Sequence, residues 1–411
     1  MNTEFLDYDE ISEQYYYNEI YELDLFYRVE KWLYGIAFVT GVFAFTYTIV
    51  KLCRSRRKDL VLAARLFTYK VSLTAADSLV LFVYAPTQLF WLIKFWWYGG
   101  DLLCRTLKFL STFGFHLTAN MQALVSIDRL YITTRMNKIP GNNRKKTYNT
   151  GFVLAVAWIL ALVCALPQLF VFREGFSRNG FPQCIAVWVQ ARVEYAERKE
   201  QILYYERYTQ LLKMNSSLVL HPNGTLRMEE PLPPPMSVKE LEAMNDRMIF
   251  LEQLYNGLHL TMIYVLPYLL ELFSYTCILY VLKGAKKGEF MTLKDLFRQL
   301  FCCKSAKSST ELAHSSDLPI VLDNDVLLSE VKAEKRPSIA SSSNTPWVTT
   351  LDSARKNARK KAFTMLSLNL ILWGPYCILG IINATTVFEG FAAFQFVSAL
   401  VVFNAISNII L

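Results

Sequence analysis

The sequence predicts an all-α membrane protein: a bundle of seven spanning helices with long second outer and third inner loops and no eighth helix. Three observations carry this. The 411 residues are 53% hydrophobic with mean hydropathy +0.23, too apolar for an ordinary soluble protein, yet 19% charged, too polar to lie wholly in lipid. Charge is segregated, with nine Asp/Glu against one Arg in residues 1–30 but six Lys/Arg and no acid in 129–150. Basic loops face the cytoplasm. Finally, Cys104 and Arg129 bracket a long apolar stretch and lie 25 positions apart. At about 1.5 Å per helical residue that is roughly 37 Å, a little more than the hydrocarbon core.

Taken in order, the chain divides into an acidic outer tail (1–30), four spans (31–172), a second outer loop (173–249), a fifth span (250–282), a third inner loop (283–356) and two last spans (357–411). No signal peptide is visible in the tail, so the first span, 32–52, acts as its own insertion signal; KLCRSRRKD marks its inner end. The second, 66–91, carries Asp77 in mid-membrane, where a carboxylate must be hydrated, paired or protonated. The third, 96–134, ends in adjacent charges, Asp128 and Arg129. The fourth, 152–172, leads into the long outer loop, whose segment ARVEYAERKEQILYYERYTQLLKM has helical charge spacing until PLPPP breaks it. Asn215 and Asn223 in that loop are glycosylation acceptors.

The inner loop is rich in Lys, Ser and Asp; LKDLFRQLFCCK reads as an interfacial helix with two thiols, Cys302 and Cys303, suited to palmitoylation, and Ser338 follows two bases. The sixth span starts basic, ARKNARKK, and the seventh runs to Leu411. Of eight cysteines, three fall on the inner side and three in spans, leaving Cys104 and Cys184 outside.

The third span shows a resemblance. Trp97, Gly100, Asp101, Cys104, Arg105, Phe109, Phe113, Gly114 and the run Ser-Ile-Asp-Arg ending at Arg129 resemble the rhodopsin-like (class A) G-protein-coupled receptors, in particular the gonadotropin-releasing-hormone and adipokinetic-hormone receptors. Trp158 with Pro167, Pro267 with Tyr275, and Trp373-Gly-Pro375-Tyr376 within PYCILGI extend the likeness.

That resemblance implies a Cys104–Cys184 disulfide. It implies an activation and G-protein-coupling set of Asp128, Arg129, Tyr275, Trp373 and Pro375. It also implies a polar network of Asp77, Thr118, Asn404 and Asn408, in which Asp77 would hold a sodium ion. A proton-relay role for Asp77 is the rival, with Glu271 the one other intramembrane acid to relay with. Candidate ligand contacts are Gln88, Lys108, Ser111, Tyr255, Asn256, His259 and Tyr376; for His259 a packed, structural histidine is the equal alternative. Where this subfamily has a basic residue, seven after the third-helix cysteine, Ser111 stands, with Lys108 one turn above.

Three positions depart from the class. The first span lacks its polar Asn, Asn369 stands where a Phe precedes the sixth-span Trp, and the N-P-x-x-Y element reads Asn408-Ile-Ile-Leu.

No catalytic or metal constellation is found in the sequence: His116, His221, His259 and His314 are scattered, with no Cys or carboxylate pair at ligand spacing, so an enzyme is not expected. The formal charge of +8 does not signal nucleic acid, since no folded polar domain carries it. A transporter would need internal repeats or broken helices, and neither is found. The expectation is a multi-pass plasma-membrane receptor with an extracellular N-terminus, partnered by a peptide ligand, a heterotrimeric G protein, lipid and a second receptor copy, with no cofactor beyond sodium. A truncated, signalling-impaired decoy is the alternative.

Overall fold

The computed structural model describes residues 4–55, 61–94, 96–135, 149–176, 181–215, 237–286, 346–385 and 396–410. These form α1 (Glu4–Ser55), α2 (Val61–Leu79, a π turn Val80–Tyr84, then Ala85–Lys94) and α3 (Gly100–Arg135). There follow α4 (Thr150–Ala165, resuming at Gln168–Val171), β1 (Phe172–Phe176), β2 (Pro182–Ala186) and α5 (Val187–Asn215). The remainder are α6 (Val238–Leu260, a π turn Thr261–Val265, then Leu266–Lys286), α7 (Pro346–Thr385) and α8 (Val397–Ile410). All but α5 are legs of one bundle. Asn223, Ser338, Cys302 and Cys303 lie outside the described residues, as does the side chain of Asn215.

By length and composition alone, five stretches among the described residues could cross a membrane: Leu25–Arg54, Phe67–Lys94, Thr150–Val171, Val238–Val281 and Ala362–Ile382. The other two legs miss for different reasons: α3 has the length, 36 residues, but carries polar side chains inward, while α8 is apolar with 14 described residues.

The bundle is inverted relative to a soluble protein. Large apolar side chains face outward on every long leg, among them Trp32, Phe43, Leu102, Phe152, Phe170, Phe250 and Phe363. Meanwhile Asp77, His116, Thr118, Gln122, Asp128, Glu271, Asn369, Asn404 and Asn408 are buried. Water would reward the opposite arrangement; a lipid surround rewards this one.

Local chemistry explains the breaks. Each π turn ends two residues before a proline, Pro86 or Pro267, whose missing N–H and ring cannot be accommodated in the regular ladder. Pro375 sits inside α7, which continues through it. Asn149 caps α4 by accepting from the Gly151 N–H at 3.0 Å, and Ser237 with Glu240 forms a reciprocal capping box that starts α6. Hence α6 begins at Val238, about three turns before the span expected from 250. At the other end of the chain α1 is helical from Glu4, where the sequence suggested only a solvated acidic tail.

The third leg sits centrally, packing on α2, α4, α6 and β1, while α1 packs on α8 and α2, and α7 on α6 and α8. Its closeness to α2 depends on Gly114: a Cβ there would lie 3.0 Å from the Leu79 Cβ and 3.5 Å from the Val80 backbone nitrogen. At its start Gly100 has φ +69°, a left-handed turn that glycine adopts without strain and that aims α3 into the bundle.

Candidate functional site

At one end of the bundle β1 and β2 form an antiparallel hairpin with Glu174 opposite Cys184, and Cys184 is bonded to Cys104 with Cα atoms 5.5 Å apart. The expected bridge therefore exists, and it pins the hairpin across the top of α3. The Trp97 N–H donates to the Pro182 carbonyl at 2.9 Å, and Trp91 Nε1 donates to Gln183 Oε1 at 2.8 Å. Beneath the hairpin the Lys108 ammonium lies 4.7 Å from the Trp91 ring centre and 4.9 Å from that of Phe172, an aromatic cage for a cation. Asp101, outside the lipid-spanning part of α3, accepts from the Glu174 N–H at 3.0 Å and pairs with Arg105 at 2.7 Å. The hairpin N–H first, then Arg105, hold its carboxyl below the usual carboxylate range.

Across the bundle a second aromatic group joins α4, α5, α6 and α3. Gln168 hydrogen-bonds the Tyr255 hydroxyl; Tyr255 lies 5.3 Å from Trp188 and stacks on His259 at 5.7 Å; His259 meets His116 edge-on at 5.1 Å. Deeper, the Tyr34 hydroxyl bonds Tyr84 at 3.0 Å and Ser398 at 2.9 Å. Ring contacts then run from Tyr84 to Phe115 (4.7 Å), Phe115 to Trp373 (5.5 Å) and Trp373 to Tyr376 (6.2 Å). Of the candidate ligand residues, Lys108, Tyr255, His259 and Tyr376 thus enter aromatic groups. Ser111 is buried on α3, and Gln88 and Asn256 are half-buried on α2 and α6, outside these groups.

Below lies the polar centre. Thr118 Oγ1 donates to Asp77 Oδ1 at 2.9 Å, and Asn408 Nδ2 reaches the same oxygen at 3.4 Å. Asp77 Oδ2 and both polar atoms of the Asn404 side chain are buried without a hydrogen-bond partner among the described residues. A buried carboxylate oxygen and a buried amide, each without a partner among the described residues, suit a small hydrated cation. From Asn408 the contacts continue across the bundle. Gln122 Nε2 donates to Asn408 Oδ1 at 2.6 Å and to Asn369 Oδ1 at 3.4 Å, and Asn369 Nδ2 donates to Glu271 Oε2 at 2.7 Å.

Toward the opposite end Asp128 is fully buried and Arg129 half-buried, and Tyr275 packs with Leu130, Ile278, Val281 and Ala362. Tyr275 therefore sits beside the turn of α3 that carries Arg129. Trp158 fixes α4 to α2 by donating to the Ser72 hydroxyl at 2.8 Å.

Residues 46–212 match the family described as 7 transmembrane receptor (rhodopsin family). The chain resembles that family. G-protein coupled receptor daf-38 of Caenorhabditis elegans is 37% identical over 134 residues, 32% of each chain. The gonadotropin-releasing hormone II receptor of Clarias gariepinus is 32% identical over 167 residues, 40% of this chain and 43% of the relative. The gonadotropin-releasing hormone receptor of Sus scrofa is 32% identical over 119 residues, 28% of this chain and 35% of the relative. The matched stretch thus spans from 32% to 43% of these relatives' own length. The multi-pass, seven-leg architecture is that of the family, and the likeness to gonadotropin-releasing hormone receptors stands on sequence as well.

Sequence reasoning missed Gln122, Gln168, Trp91, Trp188 and Phe115 as site members. Gln122 had a readable signal, an amide within the third span four residues after Thr118 and therefore on the same face. The aromatic partners had none, because their meeting depends on how the hairpin and α5 fold back.

Proposed function

We propose that this chain is a G-protein-coupled receptor for an extracellular neuropeptide or peptide hormone, a receptor and not an enzyme. The observation that carries the reading is the inverted core: aromatic groups under a disulfide-pinned hairpin at one end, a buried polar centre below them, and Asp128, Arg129 and Tyr275 at the far end. Lys108 in its cage offers a cation to an acidic or carbonyl group, while Tyr255 and His259 offer faces and hydrogen-bond groups. The relatives named for gonadotropin-releasing hormone support a peptide.

Mechanistically, a ligand that favours the open bundle and a G protein that favours it from the other side are reciprocally coupled through one equilibrium. Pro375 lets the lower part of α7 pivot below Trp373, carrying Ala362 away from Tyr275 and uncovering the Arg129 end. Asp77 and Asn404, with their orphaned atoms, would hold a sodium ion, which would supply positive charge beside the buried carboxylate. On this reading the disulfide end is extracellular, the N-terminus with it, and the membrane is the plasma membrane. Lipid covers the apolar belt, and a second receptor copy is a candidate partner on it.

The test is to express the chain in cells and record calcium and cyclic-nucleotide responses to a library of amidated peptides. A saturable response abolished by Arg129→Ala supports the reading. Saturable binding with no response favours the decoy alternative, for which Ile409 in place of the motif's proline is the supporting observation. No binding and no response overturns both.

A further inference from the structure

The hydrogen bonds below Trp373 form one directed chain across five legs of the bundle. Gln122 on α3 stands at its centre, and its amide donates one way to Asn408 on α8 at 2.6 Å and the other way to Asn369 on α7 at 3.4 Å. Each asparagine accepts on its oxygen and donates from its nitrogen to a carboxylate: Asn408 to Asp77 on α2 at 3.4 Å, Asn369 to Glu271 on α6 at 2.7 Å. The arrangement is self-consistent, since each asparagine uses both of its ends and both arms terminate on an acid that accepts. All six residues, Thr118 included, are buried, and Glu271 also lies within the field of Arg129. A purely packed centre would have needed none of these groups. Asn369, which left no reason for itself in the sequence, is the joint between α6 and α7.

We propose that Gln122 is the hub through which the Asp77 cluster controls how firmly α7 is held to α6, with Asn369 and Glu271 as positioning residues for the α7 pivot. The Gln122–Asn369–Glu271 arm is a latch closed by hydrogen bonds in place of side-chain packing. Anything that reorients Asn408 at Asp77, whether ion loss or movement of α8, pulls on the Gln122 amide and so on Asn369. This deepens the receptor reading, but its test requires neither peptide nor G protein, so the two can fail separately.

The measurement is hydrogen–deuterium exchange of residues 362–372 in the full chain, reconstituted in lipid nanodiscs. Asn369→Asp sets an acid against Glu271 and should speed exchange there roughly tenfold, the size expected for losing a buried hydrogen bond to a charged group. Adding Glu271→Gln restores a donor and acceptor in reversed order and should return exchange to near the parent rate. Asp77→Asn should speed exchange of the same segment in the parent but not in a Gln122→Leu background, where the hub is cut. Failure of the Glu271→Gln rescue, or an equal Asp77→Asn effect in both backgrounds, overturns the proposal. The rescue and the double-mutant comparison keep it testable even where a single variant is too unstable to study.

Discussion

Removing the Cys104–Cys184 bridge by the paired change Cys104→Ser/Cys184→Ser tests whether the hairpin is held by cross-linking or by its own contacts. The bridge closes a loop of 80 residues, worth about 4.5 kcal/mol at 25 °C if the whole loop is free when unfolded. Membrane helices persist when tertiary structure is lost, however, and with α3 and α4 retained as rods only about 30 residues of that loop remain free. The same relation then gives about 3.6 kcal/mol, roughly a 400-fold change in the folded-to-unfolded ratio. The hairpin's other hydrogen bonds, Trp97 to Pro182, Trp91 to Gln183 and the Glu174 N–H to Asp101, are made with or without the bridge and cannot replace it. Detergent-titration unfolding followed by tryptophan fluorescence, on parent and double variant in the same lipid, reads the difference. A loss within about 1 kcal/mol of zero would refute the reasoning and show that the unfolded ensemble already keeps the hairpin near α3.

Three further outcomes follow from named contacts. Trp158→Phe should cost about 1 kcal/mol through the lost bond to Ser72, and combining it with Ser72→Ala should cost less than the sum, because one bond is removed twice. Gly114→Val should destabilise by about 1–3 kcal/mol by driving α3 off Leu79 and Val80, measured in the same unfolding titration. Asp101, held low by the Glu174 N–H and by Arg105, contributes stability that is full above the ordinary carboxylate range and is lost as pH falls through its lowered native value. A pH series of thermal unfolding should therefore decline below about pH 4, and Asp101→Asn should flatten that part of the curve.

How far the sequence could be read depended on whether a residue acts alone or through what folds back onto it. Asp77 and Glu271 announce themselves because a charge in an apolar run is costly, and both are buried in polar company. Thr118 and Asn408, which the resemblance groups with Asp77, hydrogen-bond it. Cys104 and Cys184 likewise had no other outer thiol to pair with. By contrast, the helical α5 was visible as charge spacing, but its docking by Trp188 onto Tyr255 was not, since no periodicity encodes a contact between residues 67 positions apart. Lys108 was noticed as a displaced cation; that it sits over Trp91 and Phe172 depended on the hairpin's register. Asn369, in sequence a departure from the class's Phe, lies in the middle of a hydrogen-bonded chain.

That last reversal bears on how such a bundle would move. Aromatic packing yields gradually, each rotamer change giving up a fraction of many weak contacts, whereas an amide between two acids has few satisfied arrangements and a large penalty between them. With Gln122 donating both ways, α7 cannot shift by a fraction of an ångström and keep both bonds; it either keeps Asn369 in line with Glu271 or exchanges that partner for another donor or water. A buried polar hub therefore favours two discrete states over a continuum, which is what a coupling element between two distant sites requires. Apolar replacement at Gln122 should accordingly blur the two states, and a broadened, less cooperative unfolding transition for Gln122→Leu than for the conservative Gln122→Asn would be its signature.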